Sequence, residues 1–230
     1  MRDAQRAIAD IHARGKLPLL VGGTMLYFRA LRGGLAQLPA ADPTIREQLT
    51  ARAREVGWPS LHAQLAAVDP QAAARIQRND AQRIQRALEV FMLTGETLSA
   101  KQRAAPAGPN LLWSAYAWQP SDRQQLYANI ERRFQGMLQA GLLDEVGRLH
   151  ARADLHMELP AIRAVGYRQI WEHLDGKVSH DQAVANAVLA TRHLARRQLI
   201  WLRADHDKQI FDALDSAAAD QIEAHIKTLC

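Results

Sequence analysis

A short apolar run that ends in two glycines and a threonine constrains the fold of this chain more than any other feature. Residues Leu17 to Val21 are apolar, Gly22, Gly23 and Thr24 follow, and a new hydrophobic period begins directly afterwards. This order predicts a buried strand that turns into a helix. The glycines let a ligand approach the backbone closely, and the free N–H groups of a helix N-terminus attract anions such as phosphate.

Thr24 has two interpretations at this point. Its hydroxyl contacts a bound anion, or it serves only as a helix N-cap while the glycines only make a turn. The net charge is +5, and all but five of the 29 basic residues are arginine. Arginine suits the two-pronged binding of phosphate, but coding bias would give the same composition. Other segments therefore have to decide between the two interpretations.

Several classes of protein are excluded by what the sequence lacks. Cys230 is the only cysteine, so an internal disulfide framework and a cysteine-based zinc site are excluded. No apolar run approaches the ~20 residues of a membrane span, and a cytoplasmic protein is expected. The H-E-x-x-H and G-x-S-x-G patterns are absent, and Gly15-Lys16 and Gly176-Lys177 lack the flanking residues of a P-loop.

Hydrophobic periodicity and capping residues predict a mostly helical α/β chain. Strands are predicted over 17–21 and 111–118, and a polar linker over 101–109. Helices are predicted over 2–14, 43–57, 60–68, 70–77, 80–93, 122–140, 142–152, 160–174 and 180–203, with a further one after Thr24. The predicted N-caps are Asp42, Ser60, Asp69, Asp80, Ser121 and Ser179.

Two domains follow from this pattern. The segment 41–106 reads as a helical insertion without strands, and 1–40 with 107–230 reads as the core domain. A strand over 17–21 needs a parallel neighbour to be buried on both faces. Because Met1 is followed at once by helical periodicity, we expect a preceding part of the core to be missing from this chain.

Four polar clusters follow one another in a specific order. They are Gly22-Gly23-Thr24, then Asn79 to Arg86, then Arg163 to Gln169, and then Thr191-Arg192 with Arg196-Arg197-Gln198 and Trp201. Their neighbours read Leu-Val-Gly-Gly-Thr-Met-Leu-Tyr-Phe, Arg-Ala-Leu-Glu-Val and Val-Gly-Tyr-Arg-Gln. Over essentially the whole chain, this ordered set resembles the bacterial tRNA dimethylallyltransferases.

The resemblance implies a P-loop NTPase-like parallel-sheet core that carries an all-helical, tRNA-contacting insertion. It implies transfer of a dimethylallyl group from dimethylallyl diphosphate to N6 of the adenine 3′ of the anticodon, assisted by Mg²⁺. The expected partner is a tRNA anticodon stem-loop, and the expected state is a monomer without a membrane partner. The family's first strand, P-loop and Asp-Ser segment have no match here, so we expect the Mg²⁺ ligands to be missing and the activity to be weak or absent.

The resemblance also assigns roles to residues. Thr24 is the catalytic residue, and Gly22, Gly23, Thr24 and Arg168 hold the diphosphate. Asp80 is expected to cap the helix of the second cluster, and Trp201 is either an RNA contact or a core aromatic. The residues expected to contact tRNA are Arg46, Gln82, Arg83, Ile84, Gln85, Arg86, Arg163, Ala164, Val165, Gly166, Tyr167, Arg168, Arg197, Gln198 and Trp201.

The sequence supports three further expectations. Gly166 is predicted inside a helix, where its cost relative to alanine indicates a close approach to the backbone. Ile200 stands where the family usually has threonine, which puts a polar role of that position in doubt. The alternatives to the enzyme are a non-catalytic tRNA-binding protein and, less favoured, a small-molecule kinase.

Overall fold

A computed structural model describes residues 1–106, 108 and 111–229 of the chain. These residues form a mostly helical α/β protein with a small parallel sheet, in two compact units. The first unit consists of Met1–Lys16 and Leu26–Leu111, and the second of Leu17–Met25 with the residues from Leu112 onward. Cys230 and two positions of the predicted linker, 107 and 109, lie outside the described residues.

The regular elements in the described part of the first unit are all helices. Its helices are α1 (Arg2–Ala13), α2 (Met25–Gly33, whose first residue belongs to the second unit), α3 (Pro43–Val56), α4 (Trp58–Val68), α5 (Pro70–Arg75), α6 (Ala81–Thr94) and α7 (Leu98–Arg103). The predicted insertion 41–106 lies within this unit, which also holds residues 1–16 and 26–40. The boundaries at 41 and 106 therefore stay a prediction.

Side-chain caps start several of these helices as the sequence predicts. Asp42, Asp69 and Asp80 each accept a hydrogen bond from a backbone N–H in the first turn of α3, α5 and α6. Ser60 is not a cap, because α4 begins earlier, after Gly57, and has Pro59 in its first turn. The core of the unit is built from buried aliphatic residues of α3 to α6: Leu49, Ala53, Leu61, Leu65, Ala72, Ala73, Ile84, Ala87 and Leu88.

The helix α7 was missed by the linker prediction. Thr97 caps it by accepting a hydrogen bond from the Ala100 N–H, and Ser99 in its first turn is buried. A polar, six-residue helix carries too little hydrophobic periodicity to stand out in a sequence. Its anchor is tertiary, since the Ser99 N–H donates to the Asp69 carboxylate at 2.9 Å.

The second unit joins a helical cluster to the sheet. Its elements are β1 (Tyr116–Gln119), α8 (Arg123–Gln139), α9 (Leu142–His150), α10 (Tyr167–Leu174), α11 (His180–Ala204), β2 (Gln209–Asp212) and α12 (Ala218–Lys227). The strands β1 and β2 are parallel, with Tyr116 opposite Gln209 and Gln119 opposite Asp212. The buried core of the unit includes Phe134, Val146, Ile162, Ile170, Trp171, Ala183, Ala187 and Val188.

The strand predicted over 17–21 is wrong. The segment pairs with neither described strand, and the Leu19 and Val21 side chains are 62% and 86% exposed. An apolar run becomes a buried parallel strand only where neighbouring strands accept its hydrogen bonds and helices cover its faces. The two strands that the structure describes pair with each other, and neither pairs with this run.

Two further predictions in this unit are corrected. Ser121 does not cap α8; Asp122 does, by accepting from the Gln124 and Gln125 N–H groups, while Ser121 bonds to Asp212. The helix predicted over 160–174 is shorter and begins only at Tyr167, after a series of turns. The cap of α11 by Ser179 is confirmed. The strand β2 and the helix α12 were not predicted.

Candidate functional site

The glycine loop of the first polar cluster lies against the helix of the fourth. Gln198 on α11 donates a hydrogen bond from Nε2 to the Gly23 carbonyl at 2.8 Å. A Cβ atom on residue 23 would lie 2.4 Å from this Nε2 atom, so any other residue there would displace the amide. Neither Gly22 nor Gly23 has a positive φ angle, so the loop uses the missing Cβ and not glycine's backbone freedom.

Thr24 lies at the end of this loop and directly precedes α2. Its side chain is exposed. An exposed hydroxyl at the first position before a helix is compatible with a capping role and with contact to a bound anion. The structure therefore leaves both interpretations of Thr24 open, and its catalytic role stays a prediction.

The third cluster forms a turn in front of α10. Gly166 has φ 98°, a value that L residues rarely adopt, so it precedes the helix and does not lie inside it. Its N–H donates to Gln169 Oε1 at 2.8 Å, and both residues are buried. This bond holds the turn on α10, and the exposed members of the turn are Arg163, Ala164 and Val165.

The two residues after Gly166 have different surroundings. Tyr167 donates its hydroxyl to the Glu145 carboxylate, and this hydrogen bond raises the pKa of Tyr167. The Arg168 side chain is half-exposed and donates from Nε to Glu172 Oε1 at 3.0 Å. Arg168 lines a groove of about 310 Å³ between α10 and α11, together with Glu172, Asn186 and His193.

The fourth cluster lies on the C-terminal half of α11. Arg197 is exposed, Gln198 is partly buried against the glycine loop, and Trp201 is 39% exposed. Trp201 is thus not a core aromatic, which removes the alternative considered for it. Both Arg197 and Trp201 remain accessible to a ligand of the size of RNA, as their predicted role requires.

The second cluster belongs to the first unit and lies on the first turns of α6 and the two residues before it. Gln82 and Arg83 are exposed, as RNA contacts have to be. Ile84 is fully buried, so its assignment as an RNA contact is corrected. Its side chain packs in the hydrophobic core of the unit. Gln85 donates from Nε2 to the Arg46 carbonyl at 2.9 Å, which ties α6 to α3.

A buried carboxylate holds the two remaining predicted RNA contacts of this unit. Glu89 is 0% exposed and accepts hydrogen bonds from Arg46, Arg86 and the Asp42 N–H. Burial alone would raise its pKa, but these donors outweigh it and lower the pKa from 4.5 to about 2. Sequence reasoning missed Glu89, although a single acidic residue in the apolar run Ala-Leu-Glu-Val-Phe, three residues after Arg86, was a signal.

No group of three or more metal-binding side chains occurs within the described ranges. No described helix is both long and apolar enough to cross a membrane.

Comparisons with known proteins define the class of this protein. The chain belongs to the IPP transferase family, whose model matches residues 1–205. It is 53% identical to a tRNA dimethylallyltransferase of Bordetella petrii over 96% of this chain and 71% of the relative. It is 55% identical to a tRNA dimethylallyltransferase of Paraburkholderia phymatum over 94% of this chain and 70% of the relative.

Solved structures agree with this membership. The full-length tRNA isopentenylpyrophosphate transferase of Bacillus halodurans is 33% identical, with a TM-score of 0.60 over 98% of this chain and 70% of its own. A eukaryotic dimethylallyltransferase acting on tRNA has a TM-score of 0.73 over 97% of this chain and 59% of its own. At 23% identity, that second likeness bears on the fold alone.

Proposed function

We propose that this protein transfers a dimethylallyl group from dimethylallyl diphosphate to N6 of the adenine 3′ of the anticodon in tRNA. Membership in the IPP transferase family supports this, as do relatives at about half identity that are named tRNA dimethylallyltransferase over nearly the full chain. The observation that carries the proposal is the hydrogen bond from Gln198 to the Gly23 carbonyl. It joins two clusters, distant in sequence, that the reaction requires at one site.

The chemistry assigns a task to each group of the second unit. In the transfer, the adenine N6 forms a bond to the allylic carbon, the bond from that carbon to the diphosphate oxygen breaks, and N6 loses a proton. Negative charge grows on the departing diphosphate, and fixed donors that face it lower the barrier. The backbone of Gly22 and Gly23, the Thr24 hydroxyl and the Arg168 guanidinium are the proposed donors.

The first unit supplies contacts to the RNA in this proposal. A base in an anticodon loop has to leave its stack before its amine can react, which costs a few kcal/mol. Contacts to phosphates and bases around the extruded adenine offset this cost. Arg46, Gln82 and Arg83 are exposed on this unit and are suited to such contacts.

A product assay tests the proposal. Unmodified tRNA is incubated with dimethylallyl diphosphate and the 230-residue chain, and the digested nucleosides are analysed by mass spectrometry. We expect the gain of one C5H8 unit on the adenosine 3′ of the anticodon. Thr24→Ala should lower the rate about 100-fold or more, the contribution of one hydrogen-bond donor to a developing charge.

Thr228→Ala is the matched control, because Thr228 is an exposed threonine near the end of the chain, bonded only to the His225 carbonyl among its described contacts. Equal rates for both variants would refute the role of Thr24. Binding of tRNA without product, at every enzyme concentration, would favour the non-catalytic tRNA-binding alternative.

Finer parts of the proposal rest on the sequence pattern and on the resemblance. They are the P-loop NTPase-like core, the helical insertion over 41–106, assistance by Mg²⁺, recognition of the anticodon stem-loop, a monomeric state and a cytoplasmic location. The same assay, run with and without Mg²⁺, measures one of them directly.

A further inference from the structure

We infer that Glu89 is a positioning residue, which holds the Arg46 guanidinium in place for a contact to an RNA phosphate. The inference rests on the proposed function, since it takes tRNA as the ligand of the first unit. Nothing in the sequence resemblance assigns a role to Glu89. The contacts of its carboxylate carry the assignment.

Both oxygens of the Glu89 carboxylate are fully used. Oε1 accepts from the Asp42 N–H at 2.8 Å and from Arg46 Nε at 2.9 Å. Oε2 accepts from Arg46 Nη2 at 3.2 Å and from Arg86 Nη1 at 2.6 Å. The side chain is 0% exposed, so the two arginines and one backbone amide replace all of its water.

This carboxylate joins three segments of the unit. Arg46 lies on α3, Arg86 and Glu89 lie on α6, and Asp42 belongs to the loop before α3. Arg86 also donates from Nη2 to the Pro39 carbonyl at 2.7 Å, which ties the same loop to α6 a second time. The position of Arg46 is therefore set by contacts on both helices and on the loop.

Arg46 and Arg86 differ in whether their guanidinium groups keep an N–H edge available for a ligand. The Arg46 side chain is 44% exposed and uses only its Nε and Nη2 edge for Glu89. Its guanidinium is planar, so the opposite edge, with Nη1, remains directed away from the carboxylate. The Arg86 side chain is 27% exposed and uses both Nη atoms inside the unit. Arg46 is thus the phosphate contact, and Arg86 braces the loop.

A purely structural role explains the arrangement less well. A buried ion pair adds little stability over well-packed apolar residues of the same volume. What it does provide is an arginine that is already oriented, because its two-pronged bond to Glu89 removes most of its rotamer freedom. A ligand that then binds to Arg46 does not have to restrict the side chain again.

Binding of an unmodified tRNA transcript to the full chain tests the inference, as a function of salt. We expect Arg46→Ala to weaken binding about tenfold at low salt and to lower the slope of log K against log salt by about one, as for the loss of one phosphate contact. Glu89→Gln should give the same two changes. The double variant should bind no more weakly than Arg46→Ala, because Glu89 acts through Arg46.

Asp69→Asn is the matched control. Asp69 is also a buried carboxylate of this unit, 3% exposed, and it accepts from the Ala72 and Ser99 N–H groups but contacts no predicted RNA residue. It should lower the thermal midpoint of unfolding and leave the salt slope of the folded protein unchanged. Additive effects of Glu89→Gln and Arg46→Ala, or an unchanged slope in Glu89→Gln, would overturn the inference.

Arg46→Lys keeps the test valid if Glu89→Gln does not fold. Lysine retains the charge, but it cannot bond to Glu89 with one planar edge and to a phosphate with the other. We therefore expect Arg46→Lys to bind tRNA as weakly as Arg46→Ala does. Binding at the wild-type level would overturn the positioning role. If the wild-type chain itself does not bind tRNA in a salt-dependent manner, the proposed function fails. If it does bind, but the effects of Glu89→Gln and Arg46→Ala are additive, only the role of Glu89 is refuted.

Discussion

Gln198 donates a hydrogen bond to the Gly23 carbonyl across 175 residues of sequence. It connects the loop that precedes α2 with the C-terminal half of α11. The loop is exposed and has no strand partner within the described part of the chain, so this bond is a main restraint on its position.

Removing this restraint should affect activity more than stability. For Gln198→Ala we expect a loss of about 1 kcal/mol in the free energy of unfolding, typical of one neutral hydrogen bond. The rate of dimethylallyl transfer should fall about tenfold or more, because the loop carries the proposed diphosphate donors. Gln182→Ala, on an exposed turn of the same helix, is the control and should leave the rate unchanged. A normal rate in Gln198→Ala would separate the loop from the reaction.

The ionised Glu89 should make the first unit sensitive to acid. Its pKa is about 2 in the folded protein and 4.5 as its ordinary value, so folding favours the charged form. The stabilisation is therefore complete above about pH 4.5 and is lost as the pH falls toward 2. At about 1.4 kcal/mol per pKa unit it amounts to about 3 kcal/mol. Denaturant titrations between pH 6 and 2 should show this loss in the wild type and much less of it in Glu89→Gln.

Arg83 and Ile84 are neighbours on α6 with opposite expected phenotypes. Arg83 is exposed, so Arg83→Ala should weaken tRNA binding and lower its salt slope by about one, without a change in stability. Ile84 is fully buried, and Ile84→Ala should cost about 2–5 kcal/mol of stability through the cavity it leaves. The folded fraction of Ile84→Ala should retain the wild-type salt slope. A lowered slope in that variant would restore Ile84 as an RNA contact.

Two glycines test the backbone of the second unit. Gly166→Ala places an alanine at φ 98°, which should destabilise the protein by about 1–3 kcal/mol. Gly147→Ala lies within α9, where a Cβ meets no atom within 4 Å, and should stabilise it by about 0.5–1 kcal/mol. Thermal unfolding followed by circular dichroism measures both. Equal midpoints would contradict the positive φ at Gly166.

The parts of the fold that depend on local chemistry were predictable from sequence. The caps at Asp42, Asp69 and Asp80 each act on the amide three residues ahead, so a short window contains cause and effect. The helices α3, α6 and α11 begin within one residue of their predicted starts for the same reason.

The parts that depend on distant partners were not predictable. Ser121 failed as a cap because Asp212, 91 residues away, accepts its hydrogen bonds. The run 17–21 has the composition of a buried strand, but no described strand pairs with it. The sequence around Glu89 does not indicate its role, because its partner Arg46 lies 43 residues earlier in the chain. In the candidate site, residue types were predictable from the family resemblance, but burial was not, as Ile84 shows.

Transfer to matched RNA hairpins tests the central claim most directly. Two anticodon stem-loop RNAs that differ only in the base 3′ of the anticodon, adenine or guanine, are incubated with dimethylallyl diphosphate and excess protein. We predict one C5H8 unit on the adenine hairpin and none on the guanine hairpin, which lacks the N6 amine. Equal product on both hairpins, or product on the guanine hairpin alone, would contradict the account.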